Sequence, residues 1–177
     1  MCLLIIIFVL YYSHPWDSVA CAAQRKYPNP LNPAVVGVDV IDRYVDKSGI
    51  LRTHRLIHTT WSLADWAEKI LGRGPQYASE HSACDSVNKK LVLRSRNLTF
   101  CDVISIDETL IYTRHPEDSS KTMLKQEAMV NVYGIPLGSY CESLLAKAMQ
   151  GNANVGRKGL EWVINDMKQQ QSSPVGV

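Results

Sequence analysis

Arg25-Lys26-Tyr27-Pro28-Asn29-Pro30-Leu31-Asn32-Pro33 runs almost directly into Val35-Val36-Gly37-Val38-Asp39-Val40. Two cations are followed by three prolines, and then an alternating apolar run begins. Proline cannot continue a helix, and it biases the residue before it toward extended geometry. A helix arriving from the N-terminal side must stop here, and a strand must start. The stop leaves Lys26 beside a rigid turn, at the rim of whatever the strand helps to enclose. A positive charge at the edge of an apolar interior suits a binder of anionic amphiphiles.

Upstream, Pro15 sits near a first helical position with Asp17 in the first turn, which predicts a helix from about Pro15 to Lys26. Ahead of it, Cys2 to Tyr12 carries no charge. The run is too short to span a bilayer, which takes about 20 residues, and it lacks the basic flank of a signal peptide. Its β-branched and aromatic content fits a buried first strand. A targeting or anchoring element, or an atypical start arising from a gene-model error, are the alternatives.

Downstream, Val36 to Asp46 reads as a strand with Val36, Val38, Val40 and Tyr44 on one face. Lys47-Ser48-Gly49 is a turn, and Leu51 to Trp61 completes a hairpin. Ser62 to Leu71 is a short amphipathic helix that ends at Gly72-Arg73-Gly74-Pro75. Tyr77 to Asp85, Lys89 to Phe100, Asp102 to Thr113 and Thr122 to Tyr133 read as four more strands with short connections, hence an antiparallel meander. Leu137, Tyr140, Cys141, Leu144, Leu145 and Ala148 then keep a helical rhythm. Glycines between Gly151 and Gly159 loosen that helix before Leu160, Val163, Ile164 and Met167 resume it, and Gln169 to Val177 is expected to be a disordered tail.

These elements predict an α+β fold within one domain over residues 1–168. A curved seven-stranded antiparallel sheet is closed by a long C-terminal helix, and a loose fit between them would leave an elongated apolar cavity of the shape a lipid needs.

Composition narrows the function. Of 177 residues, 46% are hydrophobic and 20% charged, and the net charge of +2 comes without a basic stripe, so no nucleic-acid partner is expected. Five cysteines without CxxC spacing give neither a disulfide framework nor a zinc site. The histidines lack HExxH spacing, and there is no GxSxG, P-loop or GxGxxG. The chain is therefore expected to have no catalytic residues, metal or cofactor. Asn97-Leu98-Thr99 matches a glycosylation sequon inside a strand and is taken as chance.

The candidate binding residues are cations. Arg55 shares a strand face with Thr53 and Ile57. If that face is interior, the guanidinium needs an anionic ligand or a carboxylate such as Glu80, Asp107 or Glu127. Lys26 is either a flexible phosphate ligand or a solvated helix-end lysine. Arg157 and Lys158 lie in the glycine-rich part of the last helix, where they approach a headgroup or stay exposed. Leu63, Trp66, Ile70 and Leu71, with Gly72 and Gly74 as hinges, have the makings of a membrane-contacting lid, or of an ordinary surface helix.

Several blocks resemble the PRELI-like family, and within it the slowmo branch. They are His14-Pro15-Trp16-Asp17, Lys26-Tyr27-Pro28-Asn29-Pro30 with Asn32-Pro33, Val36-Gly37-Val38-Asp39-Val40, His54-Arg55-Leu56, Glu80-His81-Ser82, Ser105-Ile106-Asp107-Glu108, Gln126-Glu127-Ala128 and Gly159 to Ile164. The blocks keep order and spacing from His14 to about Met167. The resemblance implies a START-like or phosphatidylinositol-transfer-like fold. It also implies a shuttle of the mitochondrial intermembrane space that carries phosphatidic acid or phosphatidylserine between outer and inner membranes. A small helical protein with twin cysteine motifs would be its partner. The family's basic headgroup residues would map onto Lys26, Arg55 and Arg157, and its lid onto about Ser62 to Gln76. The chain departs from the family at Cys2 to Tyr12, where relatives have a polar-alternating strand. It departs again at Val155, where they tend to carry a lysine. A structural adaptor for the twin-cysteine partner and a cavity-bearing hydrolase or isomerase are the competing functions. On the shuttle reading, Arg55→Glu abolishes transfer and leaves the fold intact.

Overall fold

The computed structural model describes residues 2–60, 74–133 and 139–172. The elements are β1 (Cys2–Tyr12), α1 (Trp16–Gln24), β2 (Val35–Val45), β3 (Leu51–Thr59), β4 (Gln76–Asp85), β5 (Lys90–Asn97), β6 (Ile104–Arg114), β7 (Thr122–Val132) and α2 (Ser139–Ser172). The seven strands form one antiparallel sheet in the order β1-β7-β6-β5-β4-β3-β2, so β1 and β2 are its edges. The uncharged N-terminal run is a strand, paired to β7 along its whole length from Cys2↔Val132 to Tyr12↔Thr122, but as an edge strand with an exposed outer face it is not the buried strand expected.

Local chemistry explains the turns. At the β2–β3 hairpin, Asp46 Oδ1 accepts hydrogen bonds from the backbone of Ser48 (2.9 Å) and Ile50 (3.1 Å). Gly49 supplies the left-handed backbone there, at φ +77°. Asn97, the sequon residue, is held by its own strand ends. Its Nδ2 donates to the carbonyls of Thr99 and Ile104, and its Oδ1 accepts from Ile106 N.

The sheet's inner face is packed at one end. Tyr12, Leu91, Leu93, Tyr112 and Leu124 meet Trp16 and Val19 of α1 and Leu160, Val163 and Ile164 of α2. Trp16 Nε1 donates to the Tyr112 carbonyl at 3.0 Å, which seats α1 on β6.

Two further expectations change. Val36, Val38, Val40 and Tyr44 do not share a face. Register shifts at Val35/Gly37 and Val40/Asp42 each insert a residue, so Val38 and Val40 lie opposite the inward-facing Ile57 and Arg55, while Tyr44 pairs with Arg52. The long last helix is as expected, running from Ser139 to Ser172 through its glycine-rich middle. It runs on past Gln169, however, where a disordered tail was expected. Gln170 Nε2 to Asp166 Oδ2 (2.7 Å) and Ser172 Oγ to the Lys168 carbonyl (2.8 Å) support its last turn.

Candidate functional site

The register places four polar side chains in one straight row across the inner face. Arg55 on β3 pairs with Glu80 on β4, Glu80 with Ser95 on β5, and Ser95 with Glu108 on β6. On β7 the row ends at Ala128, with Gln126 beside it. This polar row divides the interior. On one side lies the packed core, and on the other an apolar wall that includes Ile57, Val130 and Val132.

Arg55 does point inward, and its partner is Glu80. Its Nε donates to Glu80 Oε1 at 2.9 Å, and Nη2 donates to the same oxygen. Nη1 donates to the Gln24 carbonyl at 3.1 Å, at the C-terminus of α1. Both side chains of the pair are under 10% exposed. The guanidinium thus ties β3, β4 and α1 together.

Glu108 carries no such cation. Burial pushes its carboxyl above the ordinary value of 4.5, while donation from Gln126 (2.7 Å) and the charge of Lys26 pull the other way, and Glu80 adds to the rise. Its folded pKa is raised, so the native state holds this proton longer than the unfolded chain does. That stabilisation is fully present below about 4.5 and is lost as pH rises through the folded value. Glu108→Gln mimics the protonated acid. Its stability should match wild type in acid and exceed it at neutral pH in paired urea titrations. A difference that stays constant from about pH 4 to about pH 8 would contradict this.

The proline turn meets α2 above the row. Asn29 is buried, and its Nδ2 donates to the Gly159 carbonyl at 2.9 Å while its Oδ1 accepts from Leu31 N. A Cβ on Gly159 would lie 3.2 Å from Asn29 Nδ2, and one on Gly156 would lie 3.1 Å from Lys26 Nζ. Both glycines therefore sit where the turn comes closest. The Lys26 ammonium nests against the helix backbone, and its field reaches Glu108. Arg157 and Lys158, between the two glycines, are exposed. The field of Arg157 reaches the buried Tyr12 phenol, whose pKa burial raises. At the start of α1, His14 Nε2 hydrogen bonds to Glu161 Oε2 at 2.7 Å, which fixes the same helix from a second direction.

The structure therefore brings Lys26 to the helix at Gly156, beside Arg157, and engages Arg55 in an ion pair. The lid residues Leu63, Trp66, Ile70, Leu71 and Gly72 lie outside the described residues, and Gly74 is exposed. Sequence reasoning missed Glu108 and Gln126. The signal was present in Ile106-Glu108-Leu110-Tyr112, an inward alternation broken by one acid. Asp107, its neighbour, faces outward and binds Arg96 at 2.9 Å. The stacked His54 and His81 rings, with centroids 4.0 Å apart, line a groove of about 390 Å³ that also takes in Asp42, Arg52 and Arg94. Among the described residues, no group of three His, Cys, Asp or Glu side chains is placed to hold a metal ion, and no helix is long and apolar enough to cross a membrane.

A family model described as the PRELI-like family matches residues 17–171, a span that contains the proline turn, the polar row and the docked helix. The chain belongs to the PRELI-like family. It is 35% identical over 159 residues to "Protein UPS2, mitochondrial" of Saccharomyces cerevisiae, covering 86% of this chain and 69% of that one. It is 30% identical over 151 residues to a slowmo homolog of Dictyostelium discoideum, with coverages of 85% and 66%. A UPS-like protein of Schizosaccharomyces pombe is 33% identical over 170 residues, with coverages of 93% and 92%. This chain thus spans about two thirds of the first two relatives and nearly all of the third.

Among solved structures the PRELI-like chain superposes on TTHA0849 of Thermus thermophilus with a TM-score of 0.62 at 20% identity, covering 96% of this chain and all of that one. The Zhui aromatase/cyclase of a Streptomyces species gives 0.59 at 12% identity, with coverages of 99% and 100%. At such identities these likenesses establish the fold, a curved antiparallel sheet with a long C-terminal helix.

Proposed function

We propose that this PRELI-like protein is a non-enzymatic carrier of an anionic phospholipid, phosphatidic acid or phosphatidylserine, between the mitochondrial outer and inner membranes. The observation that carries the proposal is the Lys26 ammonium, which lies close to Gly156 of the long helix and within electrostatic reach of Glu108. The interior charges support it. Arg55 and Glu80 neutralise each other, which leaves Lys26 among the described residues as an inner cation to meet a phosphate, with Arg157 and Lys158 flanking it on α2. The apolar wall beyond the polar row would receive acyl chains, at about 0.8 kcal/mol for each methylene taken from water.

Arg55 takes a different part from the one expected of it. We assign it to holding the polar row and α1 in place rather than to gripping the headgroup. The mitochondrial name of the yeast relative supports the organelle. The intermembrane space, the transient membrane contact of the lid and the small twin-cysteine partner are parts of the same proposal.

The test is transfer of phosphatidic acid and of phosphatidylserine between liposomes, with mass spectrometry of lipid that co-purifies with the protein. Wild type should carry intact anionic phospholipid without turning it over. Lys26→Glu should cut transfer about tenfold or more, the equivalent of one charge-assisted hydrogen bond of roughly 1.5 kcal/mol. Undiminished transfer by a folded Lys26→Glu protein refutes the headgroup assignment. Conversion of the lipid into product refutes the carrier.

A further inference from the structure

The two edges of the sheet are built differently. Strand β2 carries Asp39, Asp42 and Arg43, and its register is broken twice by bulges. Charges and bulges are the usual means by which an exposed edge avoids pairing with another chain. Strand β1 has neither. Its 11 residues contain no charge, no proline and no register shift against β7. Its outer face is a continuous apolar row, with Leu3, Ile5, Ile7, Val9 and Tyr11 each 47 to 60% exposed. On its inner face Leu4, Ile6, Phe8 and Leu10 are only partly covered.

We propose that β1 is a homodimer interface, in which a second copy of the chain pairs antiparallel along this edge and joins two seven-stranded sheets into one. A two-fold interface must be complementary to itself. An uncharged strand meets that condition, because no like charges come into opposition across the axis. Centring the axis on Ile7 places Leu3 opposite Tyr11 and Ile5 opposite Val9 of the second copy. On the inner face it places Leu4 opposite Leu10 and Ile6 opposite Phe8. Antiparallel pairing about that point keeps outer residues with outer and inner with inner, so both apolar faces continue unbroken across the junction. The 11-residue overlap is about 36 Å long. Burying the free edge and both half-exposed rows removes on the order of 1,000 Å² of surface in total, the lower bound for a specific interface. The edge also gains a hydrogen-bond ladder, which a membrane surface could not supply because lipid tails offer no partners to backbone N–H and C=O groups.

The full-length chain should sediment as a dimer at about 100 µM, dissociating on dilution as a modest interface does. Ile7→Lys places an ammonium on the axis in both copies and should weaken the dimer about tenfold or more, with the monomer's unfolding midpoint unchanged because the side chain faces outward. Ile7→Cys should give a covalent dimer on mild oxidation. Val40→Lys, on the guarded edge, should leave the dimer intact. A wild-type monomer at that concentration overturns the proposal, as does a dimer that Ile7→Lys leaves untouched or Val40→Lys breaks. So does a monomer whose liposome binding is lost in Ile7→Lys, since lipid would then be what covers the row.

Discussion

Arg55→Glu is expected to remove about 3–5 kcal/mol of stability, a large share of the 5–15 kcal/mol that holds a domain together. The substitution leaves Glu80 buried without its cation, adds a second carboxylate beside it, and withdraws the donor from the Gln24 carbonyl. Urea unfolding measures the loss directly. The double variant Arg55→Met/Glu80→Met separates a structural role from a ligand role. Replacing both charges by apolar side chains of similar size removes the unpaired carboxylate, so most of the stability should return. If transfer returns with it, Arg55 is a clamp. If Arg55→Glu unfolds at the wild-type urea concentration, the clamp assignment fails and the guanidinium is available to a phosphate after all.

Leu160→Ala should cost about 2–5 kcal/mol. Leu160 is fully buried where α2 meets α1 and the sheet, against a cluster that includes Tyr12, Val19, Tyr112 and Leu124. The cluster draws on two helices and four strands, which resist closing on the cavity left behind and place the expected loss toward the upper part of that range. Chemical denaturation gives the magnitude. A loss below about 1 kcal/mol would mean that the helix is not seated as described.

The sequence carried the architecture in its punctuation. The prolines after Lys26 ended α1, Lys47-Ser48-Gly49 turned the hairpin, and the β-branched and aromatic content of Cys2 to Tyr12 marked a strand. The long α2 was legible in its apolar rhythm, but the reason for glycine at Gly156 and Gly159 was not, because the groups that approach them, Lys26 and Asn29, are more than a hundred residues away. The inward direction of Arg55 followed from alternation along its strand, and Glu80 was among the acids named for it. The choice among those acids needed the β3–β4 register. The polar row was illegible for the same reason. Its four members come from four strands, and only pairing across the sheet aligns them. The face of β2 was misread because a bulge leaves no mark in an alternating run.

The contact between Asn29 and Gly159 has a mechanical corollary. With the turn after α1 bonded to the middle of α2, and His14 bonded to Glu161 two residues further on, the C-terminal half of that 34-residue rod is moored at two points to the segments that flank α1. On the carrier reading proposed above, the end of the rod away from these two bonds is where a passage for two hydrocarbon tails would open at least cost.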